Sequence, residues 1–363
     1  MLSAIIAILI GLTVLVIGGE LLVRGASRLA GLAGVSPLVI GLTVVAFGTS
    51  APELAVSLQA SVAGRTDIAI GNVVGSNIFN VLLILGLSAL VAPLVVSSRL
   101  IRVDVPLMIA ASAAMFLLGL DGNFGRVDGV VLFLGLLGYV GWSVHESRRE
   151  TAAVQQQFER EFAAPRKKTG SQILVQTALI LGGLVLLTLG ARQLVDGSVA
   201  IARLLGMSEL LIGLTIVAAG TSLPELATSV LAAFKGERDI AVGNIVGSNI
   251  FNIMCVLGLS AAVSPGGLDV SPAALRLDIT VMMAVALACL PIFFTGHLIA
   301  RWEGVLFLAY YFAYMAYLIL AVTNEAVSRT FGGIMLGFVV PLTAVTLAVG
   351  VVRAIRSSSR RNG

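Results

Sequence analysis

The stretch Val45–Ala60 reads VAFGTSAPELAVSLQA, and it sits inside a long apolar run. Within six residues it carries Gly48, Pro52 and Glu53. A helix that crosses a membrane tolerates a proline without an N–H, or a mid-membrane carboxylate, only where a break and a charge serve a purpose. The pattern returns as VAAGTSLPELATSVLA at Val217–Ala232, with Gly220, Pro224 and Glu225 in the same places.

Working outward from this pair, a shift of 172 residues aligns Gly41–Ser88 with Gly213–Ser260 at 31 of 48 positions without a gap. Fainter matches extend upstream, where Gly18, Leu22, Val23 and Gly25 meet Gly190, Leu194, Val195 and Gly197. Hydrophobic residues make up 58% of the 363 and charged residues only 12%. Mean hydropathy is +1.04. A water-soluble domain carries about 25% charge, so the lipid bilayer is the main solvent here. Forty glycines suit closely approaching membrane helices. The two cysteines, Cys255 and Cys289, both in apolar runs, read as small core residues rather than a disulfide or thiolate site.

Eleven apolar runs are long enough to span a hydrocarbon core of about 30 Å. They lie near 2–22, 36–62, 68–96, 103–120, 127–144, 172–194, 208–234, 240–263, 277–295, 302–322 and 331–352. The first has no basic n-region and no small-residue cleavage motif, so it reads as a retained span rather than a signal peptide. With the N-terminus outside, 17 of the 23 Lys and Arg residues face the cytoplasm, including those of the C-terminal tail. The net charge of +4 is therefore a topology signal in short loops, and nucleic acid is not a partner. The location expected is the cell membrane.

The 172-residue shift spans five of these runs, an odd number, so the second copy must enter the membrane upside down. The expected fold is an all-α polytopic membrane protein. It is an inverted-topology repeat of 5+5 transmembrane helices with broken helices 2 and 7, plus an additional C-terminal helix 11. The expected units are 1–145, a cytoplasmic linker at 146–170, 171–322, and 323–363 for the extra helix and basic tail. Secondary transporters use such repeats to build one midplane site with two alternately opened entrances.

The polar residues preserved between the copies are Thr49, Ser50, Glu53, Ser57, Asn72, Ser76, Asn77 and Asn80. Their mates are Thr221, Ser222, Glu225, Ser229, Asn244, Ser248, Asn249 and Asn252. Pro52 and Pro224 should break their helices and leave carbonyls unpaired around Ala46–Thr49 and Ala218–Thr221. Ser76 and Asn80, four residues apart, project from one face of the next helix. Carbonyls, hydroxyls and carboxylates are hard oxygen ligands of the kind Ca²⁺ and Na⁺ prefer. Two opposed glutamates carry a charge that one Ca²⁺ neutralises, and several Na⁺ could occupy the same oxygens. Competition at a site that alternates between two entrances gives antiport.

The paired motifs GTSAPEL…GNVVGSNIFN and GTSLPEL…GNIVGSNIFN resemble the two α-repeats of the cation/Ca²⁺ exchanger superfamily, in its Na⁺/Ca²⁺ exchanger branch. The likeness covers about residues 1–322, with the eleventh span outside it. The resemblance implies that Glu53 and Glu225 are shared Ca²⁺/Na⁺ ligands. It implies that Thr49, Thr221, Ala46 and Ala218 add oxygens, the alanines through their carbonyls. Ser50, Ser76, Ser222 and Ser248 would complete flanking Na⁺ sites, with Asn80 and Asn252 meeting at the centre. No cofactor is implied, and Ca²⁺ and Na⁺ are the transported ions. Some relatives, potassium-dependent exchangers among them, carry Asp at the position of Asn252, and the proton-coupled branch carries a GNAAE-like motif absent from both copies. K⁺-dependent and H⁺-coupled Ca²⁺ antiport are the alternatives, and a cation channel is a more distant one.

Other polar groups have plainer readings. Arg102/Asp104 and Arg276/Asp278, at the starts of spans 4 and 9, read as interfacial ion pairs, and Glu20 with Arg24 as a pair one helical turn apart. His145 and His297 lie at span ends and read as interfacial residues. The chain does not read as an enzyme: Ser50 has no His or Lys at membrane depth to activate it as a nucleophile.

Overall fold

A computed structural model describes residues 2–161, 170–204 and 218–359. The described residues are almost entirely helical. The first copy comprises α1 (Leu2–Ala33), α2 (Pro37–Thr49), α3 (Ala51–Val62), α4 (Thr66–Val91), α5 (Leu100–Asp121) and α6 (Arg126–Glu161). The second comprises α7 (Gly170–Leu204), α8 (Leu223–Phe234), α9 (Arg238–Val263), α10 (Ala274–Phe294) and α11 (Arg301–Thr323). A further long apolar helix, α12 (Ala326–Val349), follows.

Among the described residues nine helices are long and apolar enough to cross a membrane, or ten when α2 and α3 count as one bent span. The seventh expected span is represented by the short turn Ala218–Gly220 and by α8; residues 208–217 of that span lie outside the described residues. The hydrophilic connection expected from Glu146 begins as helix instead, because α6 continues to Glu161. Its sequence there, ESRRETAAVQQQFERE, lacks Gly and Pro, so nothing stops the helix where apolar character ends.

Four two-residue strands between helices show how the copies are related. β1 (Leu94–Val95) pairs antiparallel with β4 (Leu298–Ile299), and β2 (Asn123–Phe124) with β3 (Leu268–Asp269). β1 and β3 occupy equivalent places, each following the third span of its copy, yet each pairs with the strand that follows the fourth span of the other. Equivalent loops therefore sit on opposite faces, which is the inversion that an odd five-span shift requires.

Glycine sets the crossing of α1 and α7. Gly11, Gly18 and Gly25 recur every seventh residue along α1, and Gly183, Gly190 and Gly197 along α7. A Cβ at Gly18 would stand 2.8 Å from Leu187 N, and one at Gly183 would stand 2.8 Å from Gly18 O. Seven-residue spacing keeps the bare stripes facing one another along the crossing, so the two backbones lie in direct contact. α4 and α9 form the innermost layer. The most apolar stretch of α9 is fully covered by its neighbours, while that of α12 is not buried at all.

Candidate ion-binding site

The chain bends by 46° between α2 and α3. Pro52, in the first turn of α3, has no N–H to give to the carbonyl of Gly48 four residues back. Ser50 takes up the turn with φ −80° and ψ 5°, and Ser222 does the same in the other copy with φ −89° and ψ 9°. Gly48 and Gly220 serve a further end that the sequence did not suggest. A Cβ at Gly48 would lie 2.6 Å from Leu184 Cδ1, and one at Gly220 would lie 2.6 Å from Val195 Cγ2. Both glycines let α7 press against the break.

The break does not bare every carbonyl expected. The Ala46 carbonyl keeps its helical bond from Ser50 N at 3.0 Å and also lies 3.3 Å from Thr49 Oγ1. Ala218 lies in the short helical turn Ala218–Gly220.

At the two breaks the copies interlock crosswise. Ser50 Oγ donates to Glu225 Oε1 at 3.0 Å, and Ser222 Oγ donates to Glu53 Oε1 at 2.9 Å. Thr49 Oγ1 lies 3.2 Å from Asn244 Oδ1, and Thr221 Oγ1 lies 3.3 Å from Asn72 Oδ1. The amide nitrogens of those asparagines donate to Ser57 Oγ and Ser229 Oγ, each at 2.9 Å, and Asn72 also to the Glu53 carbonyl at 3.0 Å. Sequence matching had placed these asparagines and serines in the preserved polar set without a role. Their role is to orient the threonines and the starts of α3 and α8.

A second crossed layer lies where α4 and α9 meet. Asn80 Nδ2 donates to Asn249 Oδ1 at 3.0 Å, and Asn252 Nδ2 donates to Asn77 Oδ1 at 3.2 Å. Asn77 and Asn249 in turn donate to Met282 Sδ at 3.3 Å and Met108 Sδ at 3.5 Å. Asn80 and Asn252 lie at the start of stretches in which the helix widens to i→i+5 bonding, Phe79–Leu85 in α4, where Asn80 is second, and Asn252–Leu257 in α9. Such widenings are rare and cluster at functional sites.

What these bonds leave over defines the site. Glu53 Oε2, Glu225 Oε2, Ser76 Oγ, Ser248 Oγ, Asn80 Oδ1 and Asn252 Oδ1 are all buried without a hydrogen-bond partner. They form three symmetric pairs, one from each copy. Glu53 and Glu225 are 0% exposed, and among the described residues neither pairs with Lys, Arg or His. A buried polar atom without a partner costs about 1–3 kcal/mol, and more when charged, so native structures avoid them. Six in mirrored positions, all oxygens and two of them carboxylate, are the candidate ligands for a hard cation. Of the twelve residues expected to hold ions, Glu53, Glu225, Ser76, Ser248, Asn80 and Asn252 supply these oxygens. Ser50, Ser222, Thr49 and Thr221 form the crosswise bonds that carry the copies together.

The outlying pairs differ from expectation. Asp104 is buried and bonded not to Arg102 but to Tyr139, whose hydroxyl donates at 2.8 Å, with Arg99 Nε at 3.9 Å. Asp278 likewise accepts from the Tyr314 hydroxyl at 2.8 Å. Residues two apart on a helix do not face each other, so each acid points away from the arginine beside it in sequence; both lie in widened stretches, Leu100–Asp104 and Ala274–Ile279. Glu20 and Arg24 do pair, at 2.8 Å, and Lys235 joins them.

The model of the family described as sodium/calcium exchanger protein matches residues 3–145 and 175–320. Inner membrane protein YrbG of Escherichia coli K12 is 41% identical over 289 residues, covering 79% of this chain and 87% of that protein. Sodium/calcium exchanger MaX1 of Methanosarcina acetivorans is 36% identical over 341 residues, covering 86% and 97%. A solved structure of the sodium-calcium exchanger NCX_Mj, soaked with zero Na⁺ and Ca²⁺, superposes with a TM-score of 0.75 at 32% identity. That match covers 87% of this chain and 99% of that one. With an inverted helical repeat, a mirrored set of buried oxygens and a family match along both copies, this chain belongs to the sodium/calcium exchanger protein family.

Proposed function

We propose that this exchanger moves Ca²⁺ against Na⁺, the two ions competing for one midplane site between Glu53 and Glu225. The observation that carries the reading is the mirrored set of unpartnered oxygens around two buried carboxylates that, among the described residues, lack a cationic partner. An empty site holds two negative charges away from water, so its passage between entrances is costly and the cycle is coupled. One Ca²⁺ cancels that charge. Na⁺ does so at several places, with Ser76 and Ser248 lying beside the central asparagines. If more than two Na⁺ replace one Ca²⁺, each cycle moves net charge, worth about 2.3 kcal/mol per charge per 100 mV.

In this reading the two five-helix units, residues 1–145 and 171–322, alternate in opening the site. The N-terminus lies outside the cell membrane and the basic tail lies in the cytoplasm. Asn252 brings an amide to the centre where an acid would bring a further charge or a proton, which favours Na⁺ as the driving ion over K⁺ or H⁺. The test is uptake of radiolabelled Ca²⁺ into proteoliposomes under Na⁺, K⁺ and pH gradients imposed one at a time. Uptake driven by an outward Na⁺ gradient alone is expected. Uptake that follows the pH gradient and ignores Na⁺ would replace the reading with proton coupling, and a K⁺ requirement would replace it with the potassium-dependent form. Flux of Ca²⁺ without any counter-ion would mark a channel.

A further inference from the structure

The central site comes twice, once from each copy, and one charged cluster does not. At the end of α1 and the end of α8, an open cavity of about 200 Å³ is lined by Val23, Arg24, Ser27, Arg28, Lys235 and Glu237. Glu20 uses both carboxylate oxygens beside it, one on Arg24 at 2.8 Å and one on Lys235. Arg28 is exposed, and no ion pair engages it among the described residues. The Ser27 hydroxyl is shielded from solvent and has no hydrogen-bond partner. Three cations thus face two carboxylates, Glu20 and Glu237, with one donor hydroxyl free.

The repeat offers nothing equivalent on the opposite face. At the 172-residue offset, Arg24, Ser27, Arg28 and Lys235 become Asp196, Val199, Ala200 and Ala63. Every cation and the hydroxyl are lost, so the duplication does not account for the cluster, and symmetry of the ion site does not need it. It belongs to one face of the membrane, the face that carries most of the basic residues. A cavity at that depth, between two helices, open to the headgroup region and rich in Arg and Lys, has the chemistry that recognises a phosphate group.

We propose that Arg24, Arg28, Lys235 and the Ser27 hydroxyl bind a phosphate group there, carried by an anionic lipid headgroup or free in solution. Arg28 and Ser27 have unused donors, and Lys235 can turn its ammonium from Glu20 towards the phosphate. Lys235 caps α8, the helix whose first turn carries Glu225, and Glu20 belongs to α1, so an occupant bridges a helix of the ion site to the α1–α7 pair. Any effect of the occupant on transport rests on the ion-site reading above, whereas binding itself does not.

The experiment therefore reads binding. Purified full-length protein in neutral detergent is titrated with short-chain phosphatidylglycerol, short-chain phosphatidylcholine or inorganic phosphate, with bound adducts counted by native mass spectrometry. Phosphatidylglycerol should bind more tightly than phosphatidylcholine, and Arg28→Ala should weaken it about fivefold. Combining Arg28→Ala with Lys235→Ala should weaken it further. Arg28→Ala removes an exposed, unpaired side chain, so an unchanged thermal unfolding curve accompanies the loss. Inorganic phosphate that displaces the lipid with the same sensitivity to Arg28→Ala would make soluble phosphate the source and keep the site. Equal phosphatidylglycerol binding by the wild type and both variants, or no binding of either anionic probe, overturns the proposal.

Discussion

Ser50 Oγ and Glu225 Oε1 lie 3.0 Å apart, although the two residues belong to different copies of the repeat. The bond is returned by Ser222 and Glu53 at 2.9 Å. Each serine sits at its own copy's break and three residues ahead of its own glutamate, so a break in one copy holds the acid of the other. Neither copy can position its carboxylate alone.

Removing one of these hydroxyls should therefore weaken ion binding without breaking the fold. A hydrogen bond to a charged group is worth about 1.5–3 kcal/mol, or on the order of tenfold to a hundredfold in affinity. Ser50→Ala and Ser222→Ala are expected to raise the Ca²⁺ concentration for half-maximal exchange by about tenfold each. Concentration dependence of Ca²⁺ uptake in proteoliposomes measures this, and wild-type dependence in both variants would deny the crosswise bonds a part in binding.

Glu53→Gln and Glu225→Gln separate binding from stability. Each keeps the side-chain shape and removes one buried charge that has no cationic partner among the described residues. Such a charge is costly at membrane depth, at least about 2.5 kcal/mol on insertion scales, so cation-free variants should unfold at a higher temperature than the cation-free wild type. The stabilisation that Ca²⁺ gives by binding the native state should vanish together with exchange. Thermal unfolding in detergent with and without Ca²⁺ tests both halves. A variant that still gains stability from Ca²⁺ would show that its carboxylate is not a ligand.

The fold was legible in the sequence because a break inside a membrane helix is conspicuous and because it was written twice. The odd number of spans between GTSAPEL and GTSLPEL already required the inversion that the β1–β4 and β2–β3 pairings display. Carboxylates and asparagines at membrane depth were legible for the same reason. Met108 and Met282 were not. They stand 174 residues apart rather than 172, so an ungapped shift misaligns them, and apolar side chains draw no notice as acceptors. A two-residue insertion after Ser88 would have aligned them. The partners of Asp104 were hidden by local geometry: adjacent charges suggested Arg102, but residues two apart on a helix do not face each other, and the acid meets Tyr139 of α6 instead. The function of Gly48 was also misplaced, since a contact with Leu184 on a helix far along the chain is invisible to local reading.

Asn252→Asp probes what the amide contributes. The Asn252 amide nitrogen now donates to Asn77 Oδ1 at 3.2 Å, and its oxygen is free. An aspartate would lose that donor and add a third carboxylate to the buried pair. Exchange is then expected to become pH-dependent, because three close carboxylates do not all stay ionised without a cation to hold them. Na⁺ should compete with Ca²⁺ differently at fixed pH. Competition curves for Na⁺ against Ca²⁺, taken across pH 6 to 9, measure the change on the order of a few-fold. Superimposable curves for variant and wild type would remove Asn252 from the centre of the site.

Gly18 and Gly190 test the crossing on which the α1–α7 pair depends. A Cβ at Gly18 would meet Leu187 N at 2.8 Å, and one at Gly190 would meet Leu15 N at 2.8 Å; both neighbours are backbone and cannot turn aside. Gly18→Val and Gly190→Val should each cost about 1–3 kcal/mol by overpacking and force the helices apart. Gly31 lies on the same helix with nothing within 4 Å of an added Cβ. Gly31→Ala should therefore be neutral or slightly stabilising, because alanine is the better helix former. Thermal unfolding of the three variants in one detergent decides the matter: if Gly18→Val melts together with Gly31→Ala and the wild type, the two backbones are not in contact and the seven-residue glycine spacing has no structural role.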